Sequence, residues 1–190
     1  MHTNNQHISQ LLQRCNNGEQ SAQFEIYKCY YKAMYNTALR ILKDKFEAED
    51  IMQESFLTAF LKLGTFRSKS KFGNGNVPFG AWLKRIVINK SLTQLKKNKR
   101  LEQWNENSLS MNLIDRTDES ESDAFNTLKV EKILDAIKGL KSNYSVILSL
   151  SLIEGFDNEE IEKILQINNQ LVRTTLSRAK KKLRSVLNVK

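Results

Sequence analysis

A single proline stands in this chain of 190 residues, and it opens a segment with a helical pattern. Pro78 suits the first turn of a helix, where its missing N–H group is not needed. The apolar residues behind it recur at helical spacing: Phe79, Trp82, Leu83, Ile86 and Val87. With only seven glycines besides that proline, and with other segments of the same period, the chain is predicted to be all-α.

The helix that follows Pro78 is also strongly basic. Between residues 84 and 100 it carries no acid, and its bases are Lys84, Arg85, Lys90, Lys96, Lys97, Lys99 and Arg100. A helix that offers one face to a core and another to a polyanion is typical of nucleic-acid binding. A solvated basic face on an ordinary helical core is the alternative, because charge runs are common on exposed helices.

The whole chain is basic as well, with a formal net charge of +9. That charge indicates an anionic partner, either nucleic acid or a membrane surface. No apolar run approaches the length of a membrane span, so membrane insertion is not expected, and the N-terminus does not have the pattern of a signal peptide. Cys15 and Cys29 are expected to be reduced, and no Cys/His cluster is visible, so neither a metal nor a cofactor is expected.

Residues 1–100 are predicted to form a first helical domain. A short helix is expected over Ile8–Cys15, a second with Ser21 as its N-cap, and a third that ends at Gly64. On the third helix three polar residues point away from the apolar stripe; we call them the acidic patch, and they are Asp50, Gln53 and Glu54. In a basic protein such a patch suits a basic protein surface, although ordinary solvated residues would give the same pattern.

Two segments break the helical pattern. Residues 67–77 are rich in glycine, asparagine and serine and carry basic residues, which predicts a loop. Beside the tryptophan-bearing helix, that loop is suited to hold single-stranded bases; a plain connection is the alternative. Residues 101–126 hold seven acids against one base, which predicts a flexible acidic linker between two basic helical domains.

The second domain, residues 127–190, is predicted to contain a helix-turn-helix over about Asn158 to Ser177. Asp157 and Glu160 have the spacing of a capping box, and Ile167-Asn168-Asn169 is expected to form the turn. The second helix would enter the major groove with a polar and basic outer face: Arg173, Thr174, Ser177, Arg178 and Lys181. A plain pair of helices with a basic tail is the alternative.

Taken together and in this order, the two halves resemble an extracytoplasmic-function (ECF) sigma factor. Proteins of this family are small bacterial subunits that direct RNA polymerase to promoters. Residues 48–66 (AEDIMQESFLTAFLKLGTF) resemble the signature of the family's second region, and residues 81–89 (AWLKRIVIN) resemble its promoter-melting helix. Residues 152–183 resemble the helix-turn-helix of its fourth region.

The resemblance implies a role for each group of residues. The acidic patch would face the coiled coil in the largest subunit of bacterial core RNA polymerase. The minus-ten element of promoter DNA would meet the 67–77 loop and a set from the basic helix: Trp82, Lys84, Arg85, Asn89 and Lys96. The minus-thirty-five element would meet the outer face of the helix-turn-helix. The family also implies a non-enzymatic, cytoplasmic protein and, usually, an anti-sigma factor as a further partner.

Six positions depart from the family's usual residues, and they bear on promoter preference and on minus-thirty-five binding. An aspartate is replaced by Thr93, and an arginine by Lys96, which keeps the charge and loses the fork geometry. In the helix-turn-helix the expected alanine, glycine, threonine and arginine are replaced by Glu162, Gln166, Leu171 and Thr175.

Three other functions fit parts of the sequence. A free-standing helix-turn-helix regulator is the runner-up, but it would need neither the acidic patch nor the tryptophan-bearing helix. An enzyme acting on nucleic acid is disfavoured, because Asp50 and Glu54 have no further metal ligands beside them and no phosphate loop is present. A membrane-surface protein is disfavoured because the basic helices lack a broad apolar face.

Overall fold

The computed structural model describes residues 2–66, 78–104 and 124–187. Within those ranges the regular structure is helical throughout and contains no strand, so the all-α prediction is confirmed. The chain divides into two compact units, Met1–Leu95 and Lys96–Lys190. The predicted 67–77 loop and residues 105–123 of the predicted linker lie outside the described residues.

In the described residues, unit 1 contains four helices and one short 3-10 turn. These are α1 (His2–Asn16), α2 (Gln20–Leu42), α3 (Lys45–Leu61), the 3-10 turn (Leu63–Thr65) and the first part of α4 (Phe79–Trp104). Each helix turns an apolar stripe inward, as its sequence period requires. Fully buried side chains from α1, α2 and α4 include Leu11, Ile26, Met34 and Leu83, and burying each such side chain stabilises the fold by roughly 1.5–3 kcal/mol.

The ends of the helices in unit 1 differ from three predictions. The first helix begins earlier than Ile8, although Gly18, in the left-handed region at φ 85°, follows it as expected. Glu19 rather than Ser21 precedes α2, and the side chain of Arg14 on α1 donates hydrogen bonds to Glu19 at 2.8 Å and to Ser21 at 3.4 Å. Gly64 is not the C-cap of α3. Lys62 takes that place, and Gly64 lies inside the 3-10 turn.

Unit 2 holds the remaining helices. They are α5 (Ala124–Gly139), α6 (Ser142–Leu148), which continues as a π-helical turn (Ser149–Ile153), α7 (Asn158–Leu165) and α8 (Asn169–Val186). The strongly apolar α6 is buried along its second half, and α8 packs against both α6 and α7. Ile161 of α7 and Val172 of α8 are fully buried, so both helices contribute to the core of unit 2.

Gly80, in the first turn of α4, lies directly against an aromatic ring of α2. A Cβ atom at this position would come 2.7 Å from Cε1 of Tyr30, whose ring packs edge-on against Phe79. We expect Gly80→Ala to lower the free energy of unfolding by about 1 kcal/mol, because overpacking costs about 1–3 kcal/mol and the gain in helix propensity is below about 1 kcal/mol. Urea denaturation of the full chain measures the change.

Gly139, the last residue of α5, provides the matched control. Nothing lies within 4 Å of a Cβ atom built there. Gly139→Ala should therefore be neutral or slightly stabilising. Equal effects of the two substitutions would show that Tyr30 does not constrain the start of α4.

Candidate nucleic-acid and protein interfaces

The acidic patch lies on the exposed face of α3. The helix begins at Asp44, whose carboxylate accepts a 2.8 Å hydrogen bond from the backbone N–H of Glu47. The inner face of α3 buries Ala48, Ile51, Met52, Ser55, Phe56 and Ala59, while all three residues of the acidic patch are exposed. The amide of Gln53 donates a 3.3 Å hydrogen bond to the carboxylate of Glu49, one turn earlier.

Three large apolar side chains extend that exposed face, and the sequence reasoning missed them. Phe46, Leu57 and Leu61 are 82%, 64% and 88% exposed. Because residues three or four apart share a helix face, they form one strip with the middle of the patch. We call this the docking strip: Phe46, Asp50, Gln53, Leu57 and Leu61. The signal was available in the sequence, since Leu57 and Leu61 are apolar residues that fall outside the buried stripe of α3.

A second exposed strip runs along α4. The buried side of this helix holds Phe79, Leu83, Val87, Ile88, Ser91 and Leu92. Trp82, Arg85, Asn89 and Thr93 follow one another at steps of three or four residues, and Lys96 continues the spacing along the helix. These five residues are the α4 strip. Lys84 does not join it, because at about 100° per residue it lies at least 100° around the helix from Arg85 and the others.

The tryptophan of the α4 strip is held by two neighbouring aromatic rings. Its ring centroid lies 5.0 Å from that of Phe66 and 5.7 Å from that of Phe79. Phe66 and Phe79 in turn meet edge to face at 5.7 Å. Trp82 is half-buried, so its indole is both fixed and accessible. A fixed aromatic face of this kind is suited to stack on a nucleic-acid base.

The α3 and α4 helices meet along a polar seam. Nζ of Lys90 lies 3.0 Å from Oε2 of Glu54, and the amide of Gln94 donates a 3.1 Å hydrogen bond to the carboxylate of Glu47. An open cleft of about 280 Å³ lies over this seam, and it is lined by Ile51, Glu54, Asn89, Lys90, Thr93 and Gln94. The seam therefore joins a residue of the acidic patch to the flank of the α4 strip.

In unit 2, α7 and α8 form the predicted helix-turn-helix. The capping box is present: Oδ1 of Asp157 accepts from the backbone N–H of Glu160 at 2.8 Å, and Oε2 of Glu160 accepts from the backbone N–H of Asp157 at 3.2 Å. Asn168 caps α8 by accepting a 2.7 Å hydrogen bond from the N–H of Leu171. The turn runs over residues 166–168, one residue earlier than predicted, because Asn169 already belongs to α8.

The five residues predicted for the outer face of α8 are all exposed, but they do not form a single row. At about 100° per residue, Thr174 and Lys181 lie opposite the buried side, which consists of Val172, Leu176, Ala179 and Leu183, and Arg178 lies about 50° to one side of them. Ser177 lies beside them. Arg173 lies on one flank, and at about 100° per residue it shares that flank with Lys180 and Arg184, which are also exposed and were not predicted as site residues.

The departure at Glu162 has a structural role. Its carboxylate accepts a 3.2 Å hydrogen bond from the side-chain amide of Asn169, the first residue of α8. The longer side chain therefore adds a hydrogen bond between the two helices that an alanine could not make. Leu171, another departure, is 48% exposed in the first turn of α8.

Gln166, the residue that stands where a glycine is usual, adopts the left-handed conformation at φ 57°. A side chain costs about 1–2 kcal/mol in that region, and glycine avoids the cost at the expense of some chain entropy. Gln166→Gly should therefore raise the free energy of unfolding of unit 2 by about 0.5–1 kcal/mol. Hydrogen-exchange protection of α7 and α8 in the full chain measures this change.

The control for this change is Gln170→Gly, within the first turn of α8, where the same substitution should lower protection because glycine is a poor helix former. A loss of protection in both variants would contradict the strain assigned to Gln166.

The described residues offer little evidence for a membrane span, a metal site or a disulfide. In the described part of the chain, no helix is long and apolar enough to cross a membrane. The same residues contain no group of three or more His, Cys, Asp or Glu side chains placed to hold a metal ion. Both cysteines are free thiols, and burial raises the pKa of Cys15 above its usual value.

Comparison with known proteins gives the same two-part division. The family model for Sigma-70 region 2 matches residues 26–101, and the model for Sigma-70 region 4 matches residues 130–183. The ECF RNA polymerase sigma factor BldN of Streptomyces coelicolor is 26% identical over 95% of this chain and 66% of that protein. The ECF RNA polymerase sigma factor SigW of Bacillus subtilis is 28% identical over 95% of this chain and 96% of that protein.

A solved structure shares the fold. The sigma factor RpoE from Bartonella quintana, crystallised with the anti-sigma factor NepR, superposes with a TM-score of 0.61 at 20% identity. The match covers 87% of this chain and 96% of that one.

Proposed function

Because the chain belongs to the ECF group of sigma-70-type sigma factors, we propose that it binds bacterial core RNA polymerase and directs transcription initiation at specific promoters. The observation that carries this proposal is that one chain joins a region-2 unit and a region-4 unit. Each unit presents an exposed polar face of the kind that its part of the task requires. Sigma factors as a family are not enzymes, and we propose no catalytic role for any residue.

Docking on the polymerase is assigned to α3. The acidic patch supplies two carboxylates and an amide, and Phe46, Leu57 and Leu61 add exposed apolar area beside them. Apolar side chains bordered by charged groups are typical of protein interfaces, where burial supplies affinity and charge supplies orientation. The coiled coil of the polymerase's largest subunit is the proposed partner of this face.

Recognition of the minus-ten element is assigned to the α4 strip. Extruding a base from a duplex costs a few kcal/mol, and stacking on an aromatic ring returns about 1–3 kcal/mol per base. Trp82 offers such a ring, held by Phe66 and Phe79, while Arg85 and Lys96 supply positive charge for the strand backbone and Asn89 supplies hydrogen bonds. Lys84, half-buried on another side of α4, is assigned at most to the flank of this surface.

Recognition of the minus-thirty-five element is assigned to α8 in the major groove. Arg178 is exposed beside Thr174 and Lys181, where its guanidinium can reach a guanine edge, and Lys181 suits a phosphate. Thr174 and Ser177 can donate or accept hydrogen bonds on the same face, and Arg173 suits a phosphate on its flank. The exposed Leu171 offers apolar contact to a thymine methyl group.

Two further expectations accompany this function. The proposed partners, core polymerase and promoter DNA, place the protein in the bacterial cytoplasm. An anti-sigma factor is proposed as a regulator, because the sigma factor RpoE from Bartonella quintana, which shares the fold, was crystallised with one.

Equilibrium binding tests the proposal. Fluorescently labelled protein is titrated with sigma-free core polymerase, first without DNA and then with promoter duplex. We expect tight binding to core and weak binding of the free protein to duplex. Tight, sequence-specific duplex binding without any affinity for core would overturn the proposal and favour a free-standing helix-turn-helix regulator.

A further inference from the structure

An ion pair links the acidic patch of α3 to α4, beside the α4 strip. Nζ of Lys90 on α4 lies 3.0 Å from Oε2 of Glu54 on α3. The side chain of Glu54 is 59% exposed and that of Lys90 is 31% exposed, so the pair lies at the surface. Glu54 belongs to the acidic patch, and Lys90 directly follows Asn89 of the α4 strip. The carboxylate assigned to the polymerase therefore holds a cation next to the residues assigned to DNA.

Residues of the acidic patch and of the α4 strip line the same cleft over the α3–α4 seam. Its lining includes Glu54 from the acidic patch and both Asn89 and Thr93 from the α4 strip. At about 100° per residue, Lys90 lies only about 60° around α4 from Thr93. Its ammonium group ends a flexible four-carbon stem, so a small change of rotamer turns it from Glu54 toward the strip.

The pair is easily exchanged, since surface ion pairs contribute little to stability. A basic side chain from a docked polymerase competes directly for Glu54, whose carboxylate remains exposed. When that exchange takes place, Lys90 loses its partner and becomes a cation available to a phosphate group.

On this basis we propose that Lys90 is a promoter-phosphate contact that Glu54 masks in the free protein and that polymerase docking unmasks. The inference rests on the proposed function of the two surfaces. It makes one weak surface pair the coupling element: docking at one surface raises the DNA affinity of the next.

In the free protein, removing the mask should strengthen DNA binding. We expect Glu54→Gln to raise affinity for a single-stranded minus-ten oligonucleotide about threefold at low salt, the size expected when a surface ion pair is released. Glu49→Gln removes an equal charge from an exposed position five residues earlier on α3 and is the control for net charge. The gain should vanish in the double variant Glu54→Gln, Lys90→Gln. An equal gain from Glu49→Gln, or no gain from Glu54→Gln, would overturn the proposal.

In preformed holoenzyme, the same residues should behave differently. Lys90→Gln should reduce the slope of log affinity against log salt by about one, as expected when one phosphate contact is lost. Lys32→Gln, at an exposed position of α2, should leave the slope unchanged. Glu54→Gln should give no gain in DNA affinity once core is saturating, because the mask is already removed. An unchanged slope for Lys90→Gln would overturn the proposal.

The proposed function and the masking of Lys90 can be contradicted by different results. If the wild-type protein does not bind core polymerase, the proposed function itself is wrong. If it binds core and initiates transcription while Lys90→Gln behaves as wild type, only the masking of Lys90 is wrong. Circular dichroism of each variant confirms the fold, which is expected to be retained because both side chains lie at the surface.

Discussion

Leu57→Asp is expected to weaken binding to core RNA polymerase at least about 100-fold, a loss of roughly 2.7 kcal/mol, while leaving the fold intact. Leu57 is 64% exposed on the face of α3 opposite the buried stripe, so the substitution removes no core packing. In the docked complex the new carboxylate would be buried without a cation to pair with it, which costs several kcal/mol. Fluorescence titration with sigma-free core measures the loss.

Phe24→Asp is the matched control for that experiment. Phe24 is 57% exposed on α2 and lies outside the docking strip, so it places the same charge on the same unit at a comparable apolar position. Its affinity for core should change less than about threefold, an energy below about 1 kcal/mol. If Leu57→Asp and Phe24→Asp bind core equally well, the docking strip is not the polymerase interface.

Arg178→Ala should weaken the holoenzyme on minus-thirty-five promoters by about 1–3 kcal/mol, and it should relax base preference at one position of that element. Arg178 is exposed beside Thr174 and Lys181, which lie opposite the buried residues of α8. A guanidinium contacts both acceptors of guanine with two parallel hydrogen bonds, and alanine cannot replace either bond. Binding of holoenzyme to promoters with single-base changes in the minus-thirty-five element measures both effects.

Arg184→Ala, in the same helix, separates base reading from charge. Arg184 lies about 120° around α8 from Arg178, on the flank shared with Arg173 and Lys180. Its loss should weaken all promoters by a similar modest factor and leave base preference unchanged. A change of base preference with Arg184→Ala, and none with Arg178→Ala, would mean that the flank that holds Arg184, and not the face that holds Arg178, meets the bases.

The sequence was sufficient for the helices and for most of the exposed residues, because both follow from a local period. Where apolar residues recur every three or four positions, the remaining positions must face solvent, and this placed the acidic patch and the outer residues of α8 correctly on exposed faces. The capping box at Asp157 was equally local, since its two hydrogen bonds join residues three apart.

Sequence reasoning failed where contacts between distant residues decide the outcome. The ion pair of Glu54 and Lys90 joins residues 36 positions apart, and the helical spacing of apolar residues does not predict it. The start of α2 was misplaced by two residues, and the hydroxyl of Ser21, the expected cap, instead accepts a 3.4 Å hydrogen bond from Arg14 of α1. Lys84 was grouped with the DNA-facing residues by the family resemblance, and that role stays a prediction: Lys84 is half-buried and lies at least 100° around α4 from Arg85.

The departures from the family pattern had mixed outcomes for the same reason. Glu162 is accommodated by a hydrogen bond to Asn169, across the turn, which the sequence did not reveal. Gln166 keeps the left-handed backbone expected of the usual glycine and so carries a local strain that its residue type does make visible. One departure is thus compensated by a contact, while the other is tolerated.

Transcription in vitro is the most direct test of a sigma factor. The purified protein would be mixed with sigma-free core polymerase and a library of promoter fragments from the source genome, and the transcripts would be sequenced. We predict initiation at a small set of shared promoter sequences, dependent on both the protein and core. Absence of any transcript, together with absence of binding to core, would contradict the assignment.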